Sequence, residues 1–141
     1  MITLLDYGAG NVRSVVNAIE NLGETVRSVT SPEDILAAER LVFPGVGAFG
    51  SMMQILHERG YVAPLKAYLS SGRPFLGICL GMHALFEASE EAPGIPGLGL
   101  IKGRVKRFAV DRSVPHIGWN GIKARQPSPL FNGLGGDEKF Y

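Results

Sequence analysis

Over the first sixty residues, short apolar runs alternate with stretches whose apolar residues recur at helical spacing. Residues 2–5 read as a buried strand. Val12, Val15, Val16, Ile19 and Leu22 then fall on one helical face, and Gly23 stands where a helix ends. Residues 25–29 alternate as a second strand. Ser31-Pro32-Glu33-Asp34 opens a helix, with a hydroxyl cap, a proline in the first turn and acids at the positive end of the helix dipole. Leu41, Val42 and Phe43 form a third strand. Phe49, Met52, Met53 and Leu56 mark a helix closed by Gly60, and residues 62–69 give another that stops at Gly72. A fourth strand spans 75–78, and a helix is expected over 80–88. This order predicts an α/β fold, flavodoxin-like, with an open, mostly parallel sheet and helices on both faces. Beyond residue 90 the pattern changes: 91–99 is a Pro/Gly loop, and 105–110 and 119–123 look like strands without intervening helices.

The chain has 141 residues, 45% of them apolar and 19% charged, with a formal charge of +1. One domain over 1–141 is expected, with no electrostatic case for nucleic acid or an anionic membrane. The N-terminus has neither a basic flank nor an apolar core of signal-peptide length. A soluble, cytoplasmic protein is expected, or a plastid one after removal of a transit peptide. The single cysteine excludes a disulfide framework and a multi-cysteine zinc site. His57, His83 and His116 share no metal-binding spacing, and no metal or cofactor is expected.

The sharpest local signal is Gly77-Ile78-Cys79-Leu80-Gly81, where an apolar strand runs into a helix. Hydrolase nucleophile elbows share this strand–turn–helix layout, with serine at the centre. The turn is tight, so the residues two before and two after the nucleophile must be small. Cys79 would then sit at a helix N-terminus, where the dipole and free N–H groups favour thiolate. The Leu80 N–H would face a developing oxyanion. The plainer reading is a buried structural cysteine between packing glycines.

Three further clusters punctuate the chain. Pro44-Gly45-Val46-Gly47-Ala48-Phe49-Gly50 contains G-x-G-x-x-G, yet it follows the third strand, and no acid lies between Arg59 and Glu87 to hold a ribose. It reads better as a backbone loop at a strand end, supplying the other half of an oxyanion hole, or as a plain tight turn. Asp6-Tyr7-Gly8-Ala9-Gly10-Asn11 occupies another strand-to-helix junction. Pro115-His116-Ile117-Gly118-Trp119-Asn120 holds the only tryptophan. None of the three histidines makes a convincing base for the cysteine.

Together these clusters resemble class I glutamine amidotransferases, and within them the glutaminase subunits or domains of imidazole glycerol phosphate synthases. The elbow motif matches the whole class; the other three clusters, in this order, narrow the resemblance. It implies that Cys79 attacks the side-chain amide of glutamine and forms a γ-glutamyl thioester. Gly45, Val46, Gly47 and Leu80 would hold the oxyanion, and His83 would lie against the substrate. It implies ammonia transfer to a (β/α)₈-barrel cyclase, fused or separate, for histidine biosynthesis, with Asn11, His116, Trp119 and Asn120 at or near the cyclase face.

Two departures follow from the same resemblance. The family's catalytic His and Glu lie in a His-x-Glu segment further along, which these 141 residues do not contain; a C-terminally incomplete, inactive segment is therefore expected. His83 stands where the family usually has Gln, which puts glutamine affinity in question. Two other functions stay open: a non-catalytic cyclase-binding module, and a glutaminase serving another amidotransferase synthase.

Overall fold

Strand β3 (Leu41–Gly45) is buried at every position, as expected for a central strand of a parallel sheet. In the computed structural model, which describes residues 1–9, 11–111, 114–115, 117–135 and 138–140, it pairs with β1 (Ile2–Leu4) on one side and β4 (Phe75–Cys79) on the other. β2 (Val26–Ser28) pairs with β1. All three pairings are parallel, and the order is β2-β1-β3-β4. Helices α1 (Val12–Asn21), α2 (Pro32–Ala37), α3 (Phe49–Glu58) and α4 (Val62–Ser70) connect the strands.

The side chains sort onto two faces. Leu4 and Val42 pack with Ile19, Val12, Val15 and Val16 of α1. Leu5, Leu41 and Phe43 pack with Ile35 of α2, Phe49, Met52, Met53 and Leu56 of α3, and Leu65 and Tyr68 of α4. α1 thus covers one face and α2 to α4 the other, in line with the sequence pattern. The connection after β1 goes to the opposite face from the one after β3. The adjacent carboxyl ends of β1 and β3 therefore frame the crevice where doubly wound sheets collect their sites.

The expected helix over 80–88 is corrected. Only one turn forms, α5 (Leu80–His83), and Phe86–Ser89 is a strand, β5, parallel to β6 (Ile101–Val105). The returning segment explains this. The carbonyls of Ala84, Leu85, Phe86 and Glu87 accept from the N–H groups of Leu98, Leu100 and Ile101, Gly99 and Gly97. In a helix those carbonyls would serve residues 88–91 instead. The strand expected over 105–110 lies earlier, ending at Val105, because its partner β5 supplies only four residues.

The structure divides into two units, Met1–Arg107 and Phe108–Tyr141. In the second, the strand expected over 119–123 shrinks to β7 (Asn120–Gly121), antiparallel to β8 (Lys139–Phe140). A 3₁₀ turn, Pro129–Phe131, is capped by the Ser128 hydroxyl, which accepts from the Leu130 N–H at 3.3 Å. Among the described residues no helix is long and apolar enough to cross a membrane.

Candidate active site

The elbow forms where it was expected. Cys79 ends β4, Leu80 opens α5, and Cys79 is the one non-glycine among the described residues with positive φ, at 54°. Such backbone costs on the order of 1–3 kcal/mol and persists only where its surroundings enforce it. Here the two flanking glycines permit the turn. A Cβ on Gly81 would lie 1.9 Å from the Phe43 carbonyl oxygen, and one on Gly77 would lie 2.9 Å from the Met82 backbone. Side chains at either position would drive α5 away from β3 and open the turn.

Cys79 is exposed, against the reading of a buried structural thiol. The dipole contribution expected from a long helix is corrected: α5 has four residues, so its first N–H groups, rather than a macrodipole, are what it offers an anion. Leu80 is 3% exposed and anchors the turn in the core below. His83, at the end of α5, is half-buried.

The glycine loop lies beside the elbow because the sheet register puts it there. Gly45 stands opposite Cys79 on the neighbouring strand. Val46, Gly47 and Ala48 then leave the sheet exposed, and α3 begins at Phe49. Gly47 has φ 101°, a conformation for which glycine is suited. The structure thus brings Gly45, Val46, Gly47, Cys79, Leu80 and His83 to one strand-end region.

Tyr7, which the sequence reading did not single out, joins the same region. It follows β1, is 2% exposed, and stacks edge-on against Phe43 with ring centroids 6.0 Å apart. Its hydroxyl donates to the Val46 carbonyl at 2.9 Å. Burial pushes its phenol above the usual range, and negative charge at Cys79 and Asp6 acts in the same direction. Its place in the Asp6-Tyr7-Gly8 stretch at a strand-to-helix junction was the available signal.

The expected interface residues are distributed over both units. Asn11 precedes α1 and is exposed, with its side-chain oxygen accepting from the Ser14 hydroxyl at 2.8 Å. Trp119 and Asn120, in the second unit, are exposed. Asn120 donates from its side-chain amide to the Gly118 carbonyl at 3.1 Å. His116 lies outside the described residues. His57 is exposed near the end of α3.

Comparison with known proteins decides the family. Residues 3–140 match glutamine amidotransferase class-I. The chain belongs to the class-I glutamine amidotransferases. Within the class, this amidotransferase chain is 46% identical over 141 residues to imidazole glycerol phosphate synthase subunit HisH of Desulfitobacterium hafniense, covering 100% of the chain and 67% of the relative. It is 47% identical over 143 residues to the chloroplastic imidazole glycerol phosphate synthase hisHF of Arabidopsis thaliana, covering 100% of the chain. The amidotransferase chain spans 24% of that plant protein's length. A crystal structure of a glutamine amidotransferase shares the fold, with a TM-score of 0.67 at 24% identity over 80% of this chain and 59% of its own.

Proposed function

We propose that this domain, within its full-length protein, is the glutaminase of an imidazole glycerol phosphate synthase. The observation that carries the reading is the pairing of Gly45 with Cys79, which sets an exposed thiol beside the exposed loop that follows β3. The Cys79 sulfur attacks the glutamine side-chain carbonyl carbon. The oxygen gains charge and is met by backbone N–H groups of the Gly45–Val46–Gly47 loop and of Leu80. The intermediate collapses, the C–N bond breaks, and the nitrogen leaves as ammonia after taking up a proton. Water then attacks the thioester, releasing glutamate and restoring the thiol.

The proton donor and base are assigned to the His-x-Glu segment that the family resemblance implies. His57 is exposed on α3, and His83 shares the elbow's own helix turn. His83 is assigned to the substrate pocket. Asn11, His116, Trp119 and Asn120 are assigned to the face that meets the cyclase, a (β/α)₈ barrel, fused or separate. The relatives named hisHF and HisH support both arrangements. Ammonia passes to the cyclase for imidazole glycerol phosphate formation in histidine biosynthesis. The protein works in the cytoplasm, or in plastids as the chloroplastic relative's name suggests.

The test is glutamate release by the full-length protein with its cyclase and cyclase ligand, against Cys79→Ala. We expect a loss of roughly a thousandfold or more. Equal rates overturn the nucleophile assignment. A parent protein that binds the cyclase but releases no glutamate establishes the binding-module reading instead. Ammonia transfer to a different synthase establishes the other.

A further inference from the structure

We propose that Tyr7 is a positioning residue for the glycine loop: its buried hydroxyl sets which way the Gly47 N–H points. The inference rests on the glutaminase reading above and adds a residue to it. A trans peptide is planar, and its C=O and N–H point to opposite sides. The Val46 carbonyl and the Gly47 N–H belong to one such plane. Tyr7 is 2% exposed and takes the Val46 carbonyl oxygen at 2.9 Å, so that oxygen is turned inward. The Gly47 N–H is thereby turned outward, to the open side of a loop whose Val46 is 49% exposed.

The geometry makes this a device with a real alternative to prevent. Gly47 sits at φ 101° with no atom within 4 Å of a would-be Cβ, so no neighbour crowds that residue's side-chain position. Gly45, one residue before Val46, is wedged: its would-be Cβ lies 2.9 Å from the Leu80 Cβ, 3.0 Å from the Gly81 nitrogen and 3.2 Å from the Tyr7 hydroxyl. The loop is therefore wedged against α5 at Gly45, and beyond that point the Tyr7 hydroxyl is the contact that holds the Val46 carbonyl. The Tyr7 hydroxyl bears on the plane just past that fixed point. The tyrosine itself is held by its ring against Phe43, at an interplanar angle of 88°. The bond joins the carboxyl ends of β1 and β3, across the crevice between them.

Tyr7→Phe keeps the ring and removes only the donor. In the full-length protein with its cyclase and ligand, we expect kcat for glutamine hydrolysis to fall about fivefold or more, the effect of losing one typical hydrogen bond. KM for glutamine stays within twofold, because the N–H meets charge that develops after binding. The Gly47 amide NMR resonance shifts and exchanges faster with solvent, while the thermal midpoint moves by only a few degrees. A kcat within twofold of the parent overturns the proposal. So does a fall in kcat that merely tracks loss of folded protein, with the Gly47 resonance unmoved. Cys79→Ala, run alongside, separates the two levels: if it abolishes activity while Tyr7→Phe changes nothing, the glutaminase reading stands and the tyrosine assignment fails.

Discussion

Gly45 and Cys79 face one another in register on parallel strands, so the glycine loop and the cysteine leave the sheet side by side. Their separation is set by the hydrogen-bonded spacing of two strands, which no side-chain rotamer can alter. What keeps the elbow itself close is the absence of a side chain at Gly81. Gly81→Ala places a methyl 1.9 Å from the Phe43 carbonyl oxygen and 2.8 Å from its carbon. Backbone must move to admit it, so we expect a destabilisation of about 3 kcal/mol or slightly more, at the upper end for overpacking. The midpoint of denaturant unfolding checks this.

Gly47→Ala should behave in the opposite way. No atom lies within 4 Å of the added carbon, so nothing is crowded. The penalty is conformational, about 1–3 kcal/mol for an L-residue held at φ 101°. The loop escapes it by rotating, so catalysis carries the loss. We expect kcat to drop about tenfold with an unfolding midpoint close to the parent's, measured on the same preparations.

His83 is half-buried at the end of α5, close to Cys79 in sequence and on the turn that follows it. A neutral imidazole offers one donor and one acceptor, whereas a carboxamide offers two donors and an acceptor on a longer stem. His83→Gln is expected to lower KM for glutamine about threefold to tenfold, the scale of one or two added hydrogen bonds. Steady-state titration with glutamine decides it; an unchanged or raised KM removes His83 from the substrate pocket.

Acid stability should depend on Asp34. Its carboxylate accepts from the Thr30 N–H at 2.9 Å, the Thr30 hydroxyl at 2.8 Å and the Ser31 N–H at 3.0 Å, and it pairs with Arg27. The Thr30 bonds lead in holding it below the ordinary carboxylate range. A depressed folded value means the stabilisation is complete above the unfolded value, near pH 4, and is lost as pH falls through the folded one. Asp34→Asn should therefore lower the thermal midpoint at pH 7 and flatten its dependence below pH 4. Parent and variant curves converge at the acid end. Parallel curves down to pH 2 would contradict this.

The parallel sheet was legible because its strands are short apolar runs separated by helical periodicity, a pattern that burial imposes most fully on the central strand β3. The elbow was legible because a tight turn leaves its mark as glycines two residues either side of Cys79. β5 was not: Glu87 and Ala88 are good helix formers, and it is the returning segment, through the Gly99 and Gly97 N–H groups, that claims the Phe86 and Glu87 carbonyls. The role of Tyr7 within its junction cluster was not legible for a related reason. Its polar atom matters through Val46, 39 residues away, and no local spacing encodes that contact.

The positive φ at Cys79 sets chemistry against comfort at a single backbone position. Glycine is the residue that would rest there without strain. A lineage released from the need for a thiol has a downhill path from cysteine to glycine at position 79. On the glutaminase reading, the thiol's chemistry is what offsets the conformational cost of cysteine in that turn.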